Sequence, residues 1–380
     1  MPSGLCGMRN PGLCPAAVPI RAVIDRGVAG SGLARRLGNR DPSTRAKRTM
    51  YLPTTIPQTN ESHATPDAPG SFSPQGRTST HPVRNHYPRR PLARLELRVL
   101  GIVAPRTAAQ RGVDLYCTPA PADTPALVTR DDGNPTLSML KVDGNDLATY
   151  TWGDPALQPY VLLAHGWSSH SMQHLPWVEA LRAAGYAVVA FDQQAHGRSS
   201  GRKATLPDFV CNLLAVGWRH GRAAAVVGHS LGGAAVALAL KHGLEADRAI
   251  LIAAQADPEE ALGRFATAHG LTGDVHRRMV ALLESNTGVA MEELQAHRNV
   301  RHLARPALVV HDIEDREVPW SDGERYVRHW PHSRLLTTCG LGHHGVAEDP
   351  TVIAASIRFI HGEQVGERIV SSPNLPFGLA

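Results

Sequence analysis

The chemistry this sequence could perform centres on Gly228-His229-Ser230-Leu231-Gly232-Gly233. The motif follows an apolar run over 223–227 and leads into another over 234–240, which reads as strand, sharp turn and helix. A serine at the tip of such a turn is held in a cramped backbone conformation, and small residues two before and two after it keep strand and helix from colliding. Gly228 and Gly232 supply those positions. A serine hydroxyl is a weak nucleophile near neutral pH, so it needs a base within hydrogen-bond reach and a third group to fix that base. Downstream, the apolar run 307–310 enters an acidic loop carrying Asp312, Glu314, Asp315 and Glu317. The next apolar run ends in Cys339-Gly340-Leu341-Gly342-His343-His344, where glycines let the chain turn and present a histidine. The chain order is serine, acid, histidine, with several acids and two histidines competing.

Those groups need a scaffold. After the turn residues 143–146, the run Leu147 to Trp152 suits a strand ending at Gly153-Asp154-Pro155. Further apolar runs follow at 160–163, 187–191, 223–227, 249–252, 307–310 and 335–338. Amphipathic segments alternate with them at 177–184, 206–218, 231–242, 323–330 and 352–359. Strands of continuous apolar character alternating with helices predict an α/β fold: a mostly parallel central sheet covered by helices on both faces. The interval 257–303 is too long for one crossover and holds about three helix-like pieces, around Phe265, Met279 to Leu283 and Met291 to Leu294. It reads as a small helical cap insertion at the rim of the sheet, where loops build binding sites.

The 380 residues divide by charge. Residues 1–100 carry 15 Lys and Arg against 5 Asp and Glu, leaving 24 against 29 for the remainder. Residues 1–95 are rich in Pro, Arg, Ser and Thr without helical or alternating apolar pattern, and read as an unstructured segment ahead of a domain at 96–380. A solvated tail, an Arg-rich transit segment and a start codon set too far upstream, with Met50 as one candidate for the true start, all fit this front. Ala108 to Tyr116 reads as a short helix or strand. A basic arm can attach a protein to nucleic acid or an anionic membrane, but a dispersed one is more often merely solvated, so a nucleic-acid partner is not expected. The five cysteines are scattered, with no Cys-x-x-Cys pair, which favours a reducing, cytoplasmic setting over a disulfide framework or structural zinc. The uncharged run 223–240 has His229, Ser230 and three glycines in its middle, which suits a buried strand and helix better than a membrane span.

Taken together, these motifs resemble the α/β-hydrolase superfamily. They are Gly228 to Gly233, His165-Gly166-Trp167 after an apolar run, Phe191-Asp192 followed by His196-Gly197-Arg198-Ser199, Asp315-x-x-Val318-Pro319 and Gly340-x-Gly342-His343, in the family order over about 145–362. The resemblance implies Ser230 as nucleophile, His343 as base and Asp315 as the acid that orients it. The family spacing selects Asp315 over Asp312, Glu314 and Glu317, and His343 over His344, which is left to line the site entrance. The oxyanion hole implied is the backbone N–H of Leu231 with that of Trp167, and no cofactor or metal is required. Gln193-Gln194-Ala195 departs from the family's usual turn.

His165, His196 and His229 read as structural, with His229 pointing away from the reacting centre. Trp167, Trp177 and Trp320 read as packing residues before substrate contacts. The resulting expectation is a serine hydrolase cleaving a carboxylic ester or related acyl bond. The alternatives are thioesterase, carbon–carbon hydrolase or acyltransferase chemistry on the same triad, or a non-catalytic scaffold that binds a ligand. The phenylalanine, methionines and leucines of the insertion suit either an acyl pocket or the insertion's own core. The expected partner is a small ester or acyl substrate, and the sequence sets no oligomeric state.

Overall fold

The computed structural model describes residues 91–120 and 135–368; the front segment at 1–90 lies outside them. Eight strands form one sheet in the order β1-β2-β4-β3-β5-β6-β7-β8. They are β1 (Thr136–Val142), β2 (Asn145–Trp152), β3 (Tyr160–Ala164), β4 (Ala187–Phe191), β5 (Ala223–His229), β6 (Ala246–Ile252), β7 (Ala307–Asp312) and β8 (Ser333–Thr338). β2 pairs antiparallel with both β1 and β4, and all other pairings are parallel, so β2 alone runs against the rest.

Continuous apolar strands are buried on both faces, as a sheet sandwiched between helices requires. Leu162, Val189, Val226, Leu251 and Val309 meet the layer containing α4 (Leu206–His220) and α5 (Leu231–Lys241). Val161, Leu163, Val188, Val227, Ile250 and Val310 meet the opposite layer, built from α3 (Leu175–Ala183) and α11 (Pro350–Ile360). Trp177 is fully buried there, and its indole N–H donates to the Ala347 carbonyl at 2.7 Å, which makes it a packing residue. Thr205 caps α4 through a reciprocal capping box with Asp208, which satisfies two amides that the first turn leaves without intrahelical acceptors.

Between β6 and β7 lie α6 (Pro258–Ala268), α7 (Gly273–Thr287), a short 3₁₀ turn (Met291–Leu294) and α8 (Ala296–Asn299). Asp257 caps α6 by accepting from the amides of Glu259 and Glu260. Two helices precede the sheet: α1 (Pro91–Val103) and α2 (Pro105–Tyr116). The segment that the sequence left between helix and strand is therefore helical. α2 packs on α7 where Gly112 lies against Met279, close enough that a Cβ at 112 would meet the sulfur at 2.9 Å. The rings of Tyr116 and Phe265 meet edge to face at 5.2 Å. The N-terminal helices are thus joined to the helices inserted between β6 and β7.

Three further elements complete the scaffold: α9 (Trp320–His329), α10 (Gly342–Glu348) and the edge strand β1, whose Leu137 and Met139 stay exposed.

Candidate active site

Ser230 sits between the last residue of β5 and the first of α5 with φ 53° and ψ −120°. A non-glycine residue there carries roughly 1–3 kcal/mol of backbone strain, which the surrounding structure must hold in place. It does so through close approach. A Cβ at Gly228 would meet the Gly232 carbonyl oxygen at 2.5 Å, and one at Gly232 would meet the carbonyl oxygens of Ala164 and His165 at 2.5 Å. The Ser230 amide donates to the Ile252 carbonyl at 2.8 Å, tying the turn to the neighbouring strand.

Asp315 follows β7 and His343 is the second residue of α10. The structure brings them to the elbow: His343 Nδ1 is 2.7 Å from Asp315 Oδ2, and His343 Nε2 is 3.0 Å from Ser230 Oγ. With an ionised carboxylate on one side, Nδ1–H donates to Asp315 and Nε2 is left to accept from the serine hydroxyl. Asp315 is buried and so is His343, while Ser230 is half-buried at the pocket wall. Asp315 Oδ1 also accepts from the amides of Glu317 and Val318 at 2.8 and 2.9 Å. Burial pushes the Asp315 carboxyl up, but hydrogen bonds to His311 and His343 outweigh it and hold the group below the usual carboxylate range.

The competing acids go elsewhere. Asp312 is buried and braces the loop before His343, accepting from the Thr338 hydroxyl at 2.7 Å and the Leu341 amide at 3.1 Å. Glu314 accepts from Cys339 Sγ at 3.5 Å. Glu317 pairs with His344 Nε2 at 3.1 Å, which raises the His344 pKa, and its other oxygen lies 3.8 Å from His343 Nε2. Two residues here were missed in the sequence reading. One is His311, whose Nε2 lies 3.4 Å from Asp315 Oδ2; the other is Glu317 as a neighbour of His343. Both lie beside the Asp315 motif, but their contacts depend on how the loop folds.

The three histidines read as structural hold backbone. His165 accepts from the Gln193 amide at 2.9 Å and donates to its neighbour's carbonyl at 2.7 Å. His196 accepts from the Ser168 amide at 3.1 Å and donates to the Gln194 carbonyl at 2.8 Å. Each ring must be neutral to do both, and burial lowers both pKa values, that of His196 to about 4. His229 departs from the expected orientation: its Nε2 donates to the His343 carbonyl at 2.9 Å, and the two rings are 4.9 Å apart. It anchors the loop that delivers His343.

The Gln193-Gln194-Ala195 turn is braced by its own side chains, Gln193 accepting from Asn212 at 3.1 Å and Gln194 from Asn145 at 3.0 Å. The adjacent Asp192 accepts from the Ser171 and Arg198 amides, both at 2.8 Å, and from the Tyr150 hydroxyl at 2.9 Å. This turn holds His196, and His196 holds Ser168. The amides of Trp167 and Leu231 both flank the pocket and donate to no acceptor among the described residues. An anion between them would meet two N–H donors and the start of α5.

Ser230 opens onto a cavity of about 500 Å³. Its walls come from the helices between β6 and β7, through Phe265, Leu283 and Met291, and from the end of α2, through Leu115 and Tyr116. The insertion's apolar residues therefore divide: these three face the cavity, while Met279 packs on α2 and Leu282 against the core. Trp167 lines the cavity as well, 5.0 Å edge to face from His196. Trp320 packs partly against the core and donates its indole N–H to Thr337 at 3.3 Å.

A family model described as serine aminopeptidase, S33 matches residues 156–310. The esterase RhEst1 from Rhodococcus sp. ECU1013 is 23% identical, the match covering 60% of this chain and 98% of that one with a TM-score of 0.46. A hydrolase from Pseudomonas aeruginosa PA01 is 20% identical over 60% and 99%, with a TM-score of 0.48. The 2-hydroxy-6-oxo-6-phenylhexa-2,4-dienoate hydrolase from Rhodococcus sp. strain RHA1 is 17% identical over 60% and 99%, with a TM-score of 0.47. The family-model match runs from just before β3 into β7 and contains the elbow turn, and the eight-stranded sheet in which β2 alone is reversed has the α/β-hydrolase fold.

Proposed function

We propose that the protein is a serine hydrolase that cleaves a carboxylic ester or related acyl bond through a covalent acyl-Ser230 intermediate. The observation that carries this reading is the continuous hydrogen-bonded chain from Ser230 Oγ through His343 to Asp315, with spacings of 3.0 and 2.7 Å. As Ser230 Oγ bonds to the acyl carbon, its proton passes to His343 Nε2, and the carbonyl π electrons move onto oxygen. The amides of Trp167 and Leu231 hold that oxyanion, and Asp315 stabilises the imidazolium. Collapse expels the leaving group, which takes the proton from His343. Water then repeats the sequence against the acyl-enzyme and restores the serine. No cofactor takes part in these steps.

The helices over 257–303 act as a cap on the hydrolase domain in this reading, and the apolar cavity wall receives the acyl group. The scattered cysteines favour the cytoplasm, as a reducing compartment. His343 must be neutral to act as base.

A fluorophosphonate probe tests the proposal. Labelling of the wild type that disappears in Ser230→Ala, with hydrolysis of p-nitrophenyl esters lost in parallel, is the expected result. Well-folded wild type that takes no label would overturn it.

A further inference from the structure

We propose that the outer face of α1 docks on an anionic phospholipid surface. The helix is apolar on two sides. Its inner side is formed by Leu97, which is buried, and Gly101, which sits 3.9 Å from Leu271 and Val275. On the other side, Leu92 is 81% exposed, Leu95 61%, Val99 51%, Ile102 80% and Val103 71%. At 3.6 residues per turn these five fall within an arc of about 100°, opposite Leu97 and Gly101. Single exposed apolar residues are ordinary; a contiguous stripe along three turns of one helix marks an interaction surface.

Charge selects the occupant. The chain that leads directly into α1, residues 1–90, carries 13 Lys and Arg against 4 Asp and Glu, whereas the remainder carries 26 against 30. Arg94 and Arg98 add two exposed cations on the helix itself against one exposed anion, Glu96, which pairs with Arg111 of α2 at 3.4 Å. An apolar stripe joined to a polycation fits an interface of acyl chains beneath negative headgroups, which takes up both features at once. A nucleic acid would pair with the cations and leave the stripe in water, and a second copy would bring two like-charged segments together. Among the described residues no helix is long and apolar enough to cross a membrane, so the contact is with the surface. α1 continues into α2, whose end forms part of the cavity wall. The inference does not depend on the chemistry proposed for Ser230.

The test is sedimentation of the full chain with phosphatidylcholine vesicles, with and without phosphatidylglycerol. The expected result is binding to the anionic vesicles alone, weakening as salt is raised. The triple variant Leu95→Glu, Val99→Glu, Ile102→Glu should bind at least about tenfold more weakly, with unchanged circular dichroism and unchanged hydrolysis of a soluble ester. Ile102→Glu alone, at one of the most exposed positions, should weaken binding in the same direction if the triple variant folds poorly. Failure to bind anionic vesicles would overturn the proposal, as would variants that bind like the wild type. So would a wild type that is dimeric where Ile102→Glu is monomeric, or a helix face that proves necessary for binding DNA or RNA and not vesicles.

Discussion

His311 Nε2 lies 3.4 Å from the same Asp315 oxygen that faces His343 Nδ1 at 2.7 Å, so one carboxylate oxygen is shared between two imidazoles. His311 is completely buried on β7; its Nε2–H is also directed at the Val318 carbonyl, 3.1 Å away, and its Nδ1 has no hydrogen-bond partner among the described residues. A donor shared in this way stabilises the ionised carboxylate and weakens its pull on His343. His311→Phe, which keeps most of the ring volume and removes a nitrogen that had no partner anyway, should leave Asp315 a stronger acceptor for His343. The acid limb of the kcat/KM profile should move to higher pH, with a stability cost of about 1–2 kcal/mol for the lost Val318 contact. An unmoved limb would mean that His311 only packs.

Asp315→Asn preserves shape and removes the charge. An amide in that place cannot both hold Nδ1–H and stabilise an imidazolium, so kcat should fall by about 10⁴, the loss seen for the corresponding change in another triad. Thermal stability should fall far less than activity, and the two can be read side by side on the same preparation. A variant retaining most of its rate would assign the orienting role to another acid.

Gly228→Ala and Gly232→Ala should fail at the level of folding, because the added Cβ would meet backbone at 2.5 Å in both cases. Backbone of a strand and helix packed face to face cannot yield by half an ångström without opening the core. Gly345 provides the contrast. It lies in α10 with only Leu341 Cβ near its added carbon, at 3.8 Å, so Gly345→Ala should be tolerated or slightly stabilising through helix propensity. Soluble yield and melting temperature of the three variants check this directly.

Acid sensitivity should come from buried histidines. His165, His174, His196 and His229 are all buried, and burial lowers each pKa, those of His174 and His196 to about 4 from an ordinary 6.5. Each is neutral in the folded chain and takes a proton near pH 6.5 once unfolded. Their contribution is therefore fully present above pH 6.5 and is lost progressively as pH falls toward 4, on the order of 3 kcal/mol each for His174 and His196. Melting temperature should fall steeply between pH 6.5 and 4.5, with proton uptake on unfolding measurable as a buffer-dependent enthalpy. A flat profile over that interval would sink the argument.

What the sequence disclosed and what it withheld follow one physical division. The buried strands β3 to β7 write themselves as contiguous apolar runs, and Gly228 and Gly232 mark a steric demand local to one turn. β1 was invisible because it lies at the sheet edge, with Leu137 and Met139 exposed, so its apolar residues do not follow a buried face. α1 was hidden by carrying apolar residues on two opposite sides, which blurs any single helical stripe. That α2 walls the cavity depends on its packing against α7, which spans more than 150 residues of sequence. The contacts of His311, Glu317 and His229 likewise exist only once β5, β7 and the loop after β8 stand side by side.

Glu317 supplies a prediction opposite in sign to that for His311. Its carboxylate lies 3.8 Å from His343 Nε2, the nitrogen that carries the proton during the proposed reaction, and pairs with the more exposed His344 at 3.1 Å. A negative charge there favours the imidazolium that forms when His343 takes the serine proton. Glu317→Gln removes that charge while keeping the side chain's reach. The acid limb of kcat/KM should move to lower pH, and the shift should shrink at high salt because Glu317 and His344 are both reached by solvent. His344→Gln frees Glu317 from its partner and should move the limb the other way. If both variants leave the limb in place, Glu317 acts on the cavity wall alone, and the protonation of His343 is governed from the Asp315 side.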